Sequence, residues 1–314
     1  MSPQRTAPKD FVSLADWPAD ALRRILDRAH ELKRLYHRGD PPQTLRGRTL
    51  AMYFEKPSLR THVTFEAGMT QLGGHAILLR PEQVGIGTRE TAADVARNLS
   101  RWVHGIVART YDHSLVEELA AAAAIPVING LTDLLHPCQA MADLQTITER
   151  ADLARSVVAY VGDGNNVASS LLNAISVLGG ELRLATPRTH LPAPHVRKRA
   201  AELAARSGAR IVWTDDPVEA VRGAHFVYTD VWTSMGQEEE AEQRKAVFEP
   251  FQVNARLLSH APEAWILHCL PAHRGEEITS DALDGPRSIV FDQAENRLHA
   301  QKAILEALLG CARA

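Results

Sequence analysis

The chain has 314 residues, of which 45% are hydrophobic and 23% charged, and its formal net charge is -3. That length suits two domains of roughly 150 residues each rather than one core. The near-neutral balance, with no basic tract, argues against a general nucleic-acid binder. No apolar run approaches the roughly 18 residues of a membrane span. Cys138, Cys269 and Cys311 are odd in number, widely spaced and without a CxxC pair. This pattern fits a reducing cytosol rather than a disulfide framework or a structural zinc site. Met1 to Asp10 is polar and lacks the apolar run of a secretory leader.

In chain order, the 3.6-residue period predicts a helix over Asp20 to Tyr36, with Leu22, Ile25, Leu26 and Leu32 inward. Thr49 to Phe54 reads as a buried strand. A helix, Leu59 to Leu72, opens directly after Pro57-Ser58. Strands then fall at Gly74 to Leu79, Gly105 to Arg109 and Ile125 to Asn129. Between them lie a helix at Asp94 to Trp102 and a second, capped by Ser114, running to Ala123. A helix from Gln139 to Arg150 carries the domain boundary. The second half repeats the alternation. Strands are predicted at Val157 to Val161, Glu181 to Ala185, Arg210 to Thr214, Phe226 to Thr229 and Trp265 to His268. Helices are predicted at Asn166 to Leu178, His195 to Ser207 and Glu295 to Leu309, the last with Leu298, Ile304, Leu305 and Leu308 inward. The expected fold is α/β: two doubly wound parallel-sheet domains joined by helices. The first would comprise residues 1–140 plus 292–314, the second 141–291.

Five segments carry chemistry. In Ser58-Leu59-Arg60-Thr61 a strand turns into a helix whose free N–H groups suit a phosphate. Ser58 and Thr61 offer hydroxyls and Arg60 a forked cation. The same segment reads equally as a plain N-cap with a surface arginine. Arg109 ends a strand, at the edge where ligands of open parallel sheets collect. His136-Pro137-Cys138-Gln139 follows a strand and a loop. His136 and Gln139 could reach a carbonyl and an amide, although a loop histidine is more often simply solvated or packed. Val161-Gly162-Asp163-Gly164-Asn165-Asn166 offers a GxG after a strand, with Glu181 near the spacing of a ribose-binding acid. Val167 occupies the third glycine position of a dinucleotide motif, so the pattern is weak. Adjacent amides suit an amino acid, and Asn165 or Asn166 could instead be a helix cap. Asp230, before Ser234-Met235-Gly236, can pair with an ammonium group, in a loop of the kind that covers a site. Cys269, in His268-Cys269-Leu270-Pro271, is either a structural thiol or a group facing a reacting amine.

Taken in order, these motifs resemble the aspartate/ornithine carbamoyltransferase family across nearly the whole chain. Ser58-Leu59-Arg60-Thr61 is similar to its phosphate motif and His136-Pro137-Cys138-Gln139 to its carbamoyl motif. Asp230 with Ser234-Met235-Gly236, and His268-Cys269-Leu270-Pro271, resemble the ornithine branch. The resemblance implies transfer of the carbamoyl group of carbamoyl phosphate to the side-chain amine of ornithine, without metal or organic cofactor. It implies a carbamoyl phosphate site of Ser58, Leu59, Arg60, Thr61, Arg109, His136, Pro137, Cys138, Gln139, Cys269, Leu270 and Arg297. Asn166, Asp230, Ser234 and Met235 would bind ornithine. Arg60, Arg109, His136, Asp230 and Cys269 would act on the reaction itself. Gln83 would reach a neighbouring subunit's site in a homotrimer, although Gln83 to Glu90 fits the family pattern poorly and His62 stands where arginine is frequent. Within the family, putrescine, N-acetylornithine or aspartate are the rival acceptors. Outside it the rivals are an NAD-dependent dehydrogenase, resting on Gly162 and Gly164, and a non-catalytic binding protein, which would release no phosphate from the two substrates. The sequence does not set the biosynthetic or catabolic direction.

Overall fold

The computed structural model describes residues 7–233 and 240–310. Two compact units divide the chain, Met1–Gln145 with Glu295–Ala314 and Thr146–Ala294, so both crossings fall inside helices.

The first unit is built on four parallel strands, β1 (Thr49–Phe54), β2 (His75–Leu79), β3 (Gly105–Arg109) and β4 (Val127–Leu131), in the order β2-β1-β3-β4. Continuous apolar sequence in β1 and β3 reflects burial on both faces, whereas edge strand β2 is half exposed. The helices are α1 (Ala19–His37), α2 (Leu59–Gln71), the short α3 (Pro81–Val84), α4 (Ala92–Trp102), α5 (His113–Ala122), the start of α6 (Pro137–Thr148) and most of α13 (Val290–Leu309). Helix α1 buries Leu22, Ile25, Leu26 and Leu32, as its period predicts.

The second unit carries β5 (Val157–Val161), β6 (Glu181–Ala185), β7 (Arg210–Thr214), β8 (Phe226–Thr229) and β9 (Trp265–His268), all parallel, in the order β7-β6-β5-β8-β9. Helix α7 (Asn166–Leu178) is buried from Val167 onward, including Ser169, Asn173 and Ser176 on one face. With it stand α8 (Pro194–Ser207) and four short helices, α9 (Pro217–Val221), α10 (Ala241–Phe248), α11 (Ala255–Leu258) and α12 (Ser280–Leu283).

Each sheet reverses direction once. The chain leaves β1 for β2 on one side and returns to β3 on the other; likewise β5 leads outward to β6 and β7, then back to β8. The crevice beyond the carboxyl ends at such a reversal is where open α/β sheets hold ligands. It lies at β1/β3 in one unit and at β5/β8 in the other.

The structure departs from the sequence reading in places. Asp112, not Ser114, caps α5, its Oδ1 accepting from Ser114 N at 2.8 Å. Strand β4 begins at Val127, after Pro126, which has no N–H for a ladder, and it runs on to Leu131. Helix α13 begins at Val290, and Leu298 and Leu308 are only half buried. Ile304 and Leu305 are buried as expected, and the buried face also carries Asn296, His299, Gln301 and Lys302. Two of these groups are paired through long-range bonds: Lys33 Nζ donates to Asn296 Oδ1 at 2.9 Å and Lys302 Nζ to Gln71 Oε1 at 3.0 Å. Paired burial of polar groups is invisible to a hydrophobic period.

Candidate active site

The first half-site is assembled at the β1/β3 reversal. Parallel register sets Phe54 beside Arg109, and Glu55 N donates to the Arg109 carbonyl at 2.8 Å. The Glu55 carboxylate then accepts from Tyr53 OH and from Tyr111 N, both at 3.1 Å, which ties the two loops together. Ser58 caps α2, its Oγ accepting from Thr61 N at 3.1 Å. The cap reading of this segment is therefore true, and it leaves the positive end of α2 beside Arg109.

Arg297 comes to the same place from α13. Its Nη2 donates to Thr61 Oγ1 at 2.7 Å and its Nη1 to Gln139 Oε1 at 2.5 Å, while Gln139 Nε2 donates to Asp143 Oδ1 at 2.8 Å. One guanidinium thus joins the N-termini of α2 and α6, inside the first unit. His136, just before α6, is buried. Its pKa is held well below the ordinary histidine range, first by burial and then by the charges of Arg297, Arg109 and Arg60. The imidazole is therefore held neutral among the charges of three arginines. A site with that excess of positive charge suits a small anion.

The surroundings of two further site candidates, Cys138 and Gln83, are well defined. The Cys138 thiol is fully buried, donates to the Asn129 carbonyl at 3.3 Å, and is pushed up to about 12 by burial. It is inert there, so any contact from Cys138 to a ligand falls to its backbone. Gln83, on α3, is exposed, and its Oε1 accepts from its own Arg80 N at 3.4 Å. Lys56 is a residue that sequence reasoning missed. It is buried, sits 4.3 Å from the Tyr111 ring centroid, and is lowered by burial and then by Arg109. Its place between Glu55 and Ser58 was the available signal.

The second half-site stands at the β5/β8 reversal. Register pairs Thr229 with His268, so the residues that follow, Asp230 and Cys269, leave the sheet side by side. Cys269 Sγ donates to Asp230 Oδ1 at 2.9 Å. The other oxygen, Oδ2, accepts from Asn165 Nδ2 at 2.7 Å. Asn165 is the N-cap of α7, and Asn166 is its first residue. His268 is fully buried; its Nδ1 accepts from Leu270 N at 2.8 Å and its Nε2 pairs with Glu277 Oε1 at 2.9 Å. Asp230, His268 and Cys269 lie close enough to be a metal donor set, yet both ring nitrogens of His268 already have protein partners. Leu270 has φ 58, a left-handed conformation rare for a branched side chain. Ser234, Met235 and Gly236 lie outside the described residues.

The dinucleotide reading fails on geometry. A Cβ at Gly164 would lie 2.3 Å from His190 O and 2.5 Å from Pro192 N, so this glycine admits the 190–192 backbone rather than a pyrophosphate. Glu181 opens β6, at the end opposite the ligand edge, and is bonded to Arg183 at 2.6 Å and Arg210 at 2.9 Å.

Comparison with known proteins finds a family domain for each unit. Residues 9–149 match the carbamoyl-P binding domain, and residues 155–308 the Asp/Orn binding domain, of aspartate/ornithine carbamoyltransferase. An anabolic ornithine carbamoyltransferase of Pyrococcus furiosus is 52% identical over 306 residues, covering 97% of each chain. The ornithine carbamoyltransferase of Bacillus subtilis is 51% identical over 308 residues, covering 96% of this chain and 94% of its own. The solved ornithine carbamoyltransferase of Pyrococcus furiosus superposes with a TM-score of 0.94 at 51% identity, over 98% of this chain and 99% of that one. A more distant solved relative, ornithine transcarbamoylase from Giardia lamblia, gives 0.88 at 32% identity, over 97% of this chain and 99% of that one. With both family domains matched along nearly all of its length, the chain belongs to the aspartate/ornithine carbamoyltransferase family.

Proposed function

We propose that this protein transfers the carbamoyl group of carbamoyl phosphate to the side-chain amine of L-ornithine, giving L-citrulline and phosphate. The observation that carries the reading is the neutral, buried His136 set among Arg60, Arg109 and Arg297. Such a group of donors matches a doubly charged phosphate joined to a neutral carbonyl.

In this reading Ser58, Leu59, Arg60 and Thr61, with the α2 N-terminus, hold the phosphate, and Lys56 adds to the field. Arg109, His136, Gln139 and Arg297 hold the carbamoyl and bridging oxygens, with Pro137 and Cys138 contributing backbone, alongside Cys269 and Leu270. Asn166, Asp230, Ser234 and Met235 hold the α-carboxylate and α-ammonium of ornithine. The neutral amine attacks the carbamoyl carbon and a C–N bond forms. The carbonyl oxygen becomes an oxyanion, stabilised by Arg109, His136 and Thr61. The C–O bond to phosphate then breaks, phosphate leaves with the electron pair, and the nitrogen gives up a proton. Carbamoyl phosphate is already activated, so the residues need only orient two substrates and balance charge.

The finer assignments belong to the same proposal. The protein works in the cytoplasm, in citrulline formation for arginine biosynthesis. It assembles as a homotrimer in which Gln83 reaches a neighbouring subunit. Support comes from Leu59 and Val63 on α2 and Ile77 on edge strand β2, which are 73%, 51% and 41% exposed and form the kind of apolar surface that subunits cover.

The test is citrulline and phosphate release from carbamoyl phosphate with ornithine, putrescine, N-acetylornithine and aspartate in parallel. Ornithine is expected to exceed the others by orders of magnitude in kcat/KM. Turnover of putrescine at a comparable rate would overturn the choice of acceptor. Sedimentation gives the subunit number, and a monomer or dimer overturns the trimer.

A further inference from the structure

Asn165 was a cap candidate in the sequence, and it does cap α7. Its Oδ1 accepts from Val167 N at 2.9 Å and from Ala168 N at 3.1 Å. The buried Tyr160 hydroxyl donates to the same oxygen at 3.3 Å. Three donors on one oxygen leave no ambiguity about which way the amide points, because a flipped amide would set N–H groups against N–H groups. The Nδ2 group is thereby aimed outward, and it donates to Asp230 Oδ2 at 2.7 Å.

Rotation of the Asp230 carboxylate about its Cβ–Cγ bond decides where its lone pairs face. Cys269 fixes Oδ1 and Asn165 fixes Oδ2. Of these donors, the thiol is a weak one. The amide is a strong one, and it is fixed to a buried helix start and to β5 through Tyr160. The carboxylate's orientation therefore depends chiefly on Asn165.

We propose that Asn165 is a positioning residue for the amino-acid substrate: it uses the α7 cap as a rigid mount to hold the Asp230 carboxylate toward the substrate ammonium group. This rests on the proposed ornithine carbamoyl transfer and deepens it. It separates two adjacent amides that look alike in the sequence. Asn166 is the residue assigned to the ligand, and Asn165 orients the acid.

Three variants test the idea while holding the cap constant. Asn165→Asp and Asn165→Ser keep an oxygen for the α7 N–H groups, since Asn, Asp and Ser cap almost equally well. Both remove the amide N–H that reaches Asp230: Asn165→Ser leaves only a shorter hydroxyl in its place, and Asn165→Asp puts a second carboxylate against Asp230. Tyr160→Phe removes one of the three bonds that orient the amide. Steady-state kinetics are read with each substrate varied, together with the melting temperature. In both Asn165 variants the KM for ornithine is expected to rise about tenfold or more, as loss of a charge-assisted bond implies. The rise should be larger for Asn165→Asp. The KM for carbamoyl phosphate is expected to stay within about twofold. Tyr160→Phe should show a smaller rise with the same selectivity. Unchanged ornithine KM in both Asn165 variants overturns the proposal, as does an equal loss toward both substrates accompanied by a lower melting temperature, which marks a structural role. If the unaltered protein forms no citrulline, the reading of function has failed; if it does and these variants bind ornithine normally, only the role of Asn165 has failed.

Discussion

Removing the Arg297 side chain separates what this residue does for the fold from what it does for chemistry. The guanidinium is 2% exposed and bonds two neutral groups, Thr61 Oγ1 and Gln139 Oε1. Arg297→Ala leaves those groups short of a donor, which costs stability, but it also ends the burial of a cation, which restores some. The two effects oppose one another, and the net change in unfolding free energy is expected to stay within about 2 kcal/mol. The chemistry has no such offset. Arg297 is proposed to hold the carbamoyl and bridging oxygens, and a preorganised donor to an oxygen that gains negative charge contributes about 3–4 kcal/mol, or 10²–10³ in rate, so kcat/KM for carbamoyl phosphate is expected to fall by about that factor. Arg297→Lys keeps the charge without the fork and should fall between. A second signature follows from His136. Arg297 is the largest charge effect holding its pKa down, so without it the pKa rises and the acid limb of kcat/KM moves to higher pH. Citrulline formation against pH and urea unfolding measure both quantities. A variant that keeps kcat/KM within tenfold, or that loses activity only in proportion to lost stability, refutes the assignment.

Asp163 is pushed up to about 7, chiefly by burial, although Arg244 Nη2 donates to its Oδ2 at 2.5 Å. A carboxyl whose folded value lies above its free value keeps its proton across pH 4–7, so the stability linked to it falls as pH rises through that window. Arg244→Ala removes the compensating cation, and its loss of stability is expected to reach about 3–5 kcal/mol at pH 8 and to be clearly smaller at pH 5.5. Equal losses at both pH values, by denaturant unfolding, would contradict this. Gly164→Ala drives a Cβ into the His190 and Pro192 backbone and should destabilise the protein by at least about 3 kcal/mol; a melting temperature within 2–3 °C of the parent, roughly 1 kcal/mol at this size, would show that the turn yields. Cys269→Ser keeps a donor to Asp230 Oδ1, whereas Cys269→Ala does not. Ornithine kcat/KM is expected to fall at least about tenfold further in the alanine variant, and equal values for the two would remove that bond from the argument.

The strands and most long helices were legible because parallel strands buried on both faces read as unbroken apolar runs and long helices keep their period. Thr49–Phe54, Val157–Val161 and Asn166–Leu178 fall where the residues say. Short helices such as Pro217–Val221 hold too few residues to show a period, and Val290 to Ala294 has an irregular apolar pattern. The polar face of α13 could not be read because burial of Asn296 and Lys302 depends on partners at Lys33 and Gln71, hundreds of residues away in the chain.

The candidate sites show the same division more sharply. Residue types were readable: a serine before a helix, an arginine at a strand end, an aspartate past another. Which of two neighbouring groups does which task was not. Ser58, proposed as a phosphate ligand, already accepts from Thr61 N, and Asn165 rather than Asn166 caps α7. Cys138 and Cys269 illustrate the cause. Both are free thiols, Cys138 in the first turn of α6 and Cys269 just past β9, yet one donates into a buried carbonyl and is inert, and the other bonds a carboxylate. The difference is set by strand register, since pairing Thr229 with His268 brings Asp230 and Cys269 out together. A one-residue slip would exchange the faces of every side chain on β9 and break that pair. Register is fixed by the whole sheet, so the chemistry of Cys269 is a property of the fold that no local motif contains.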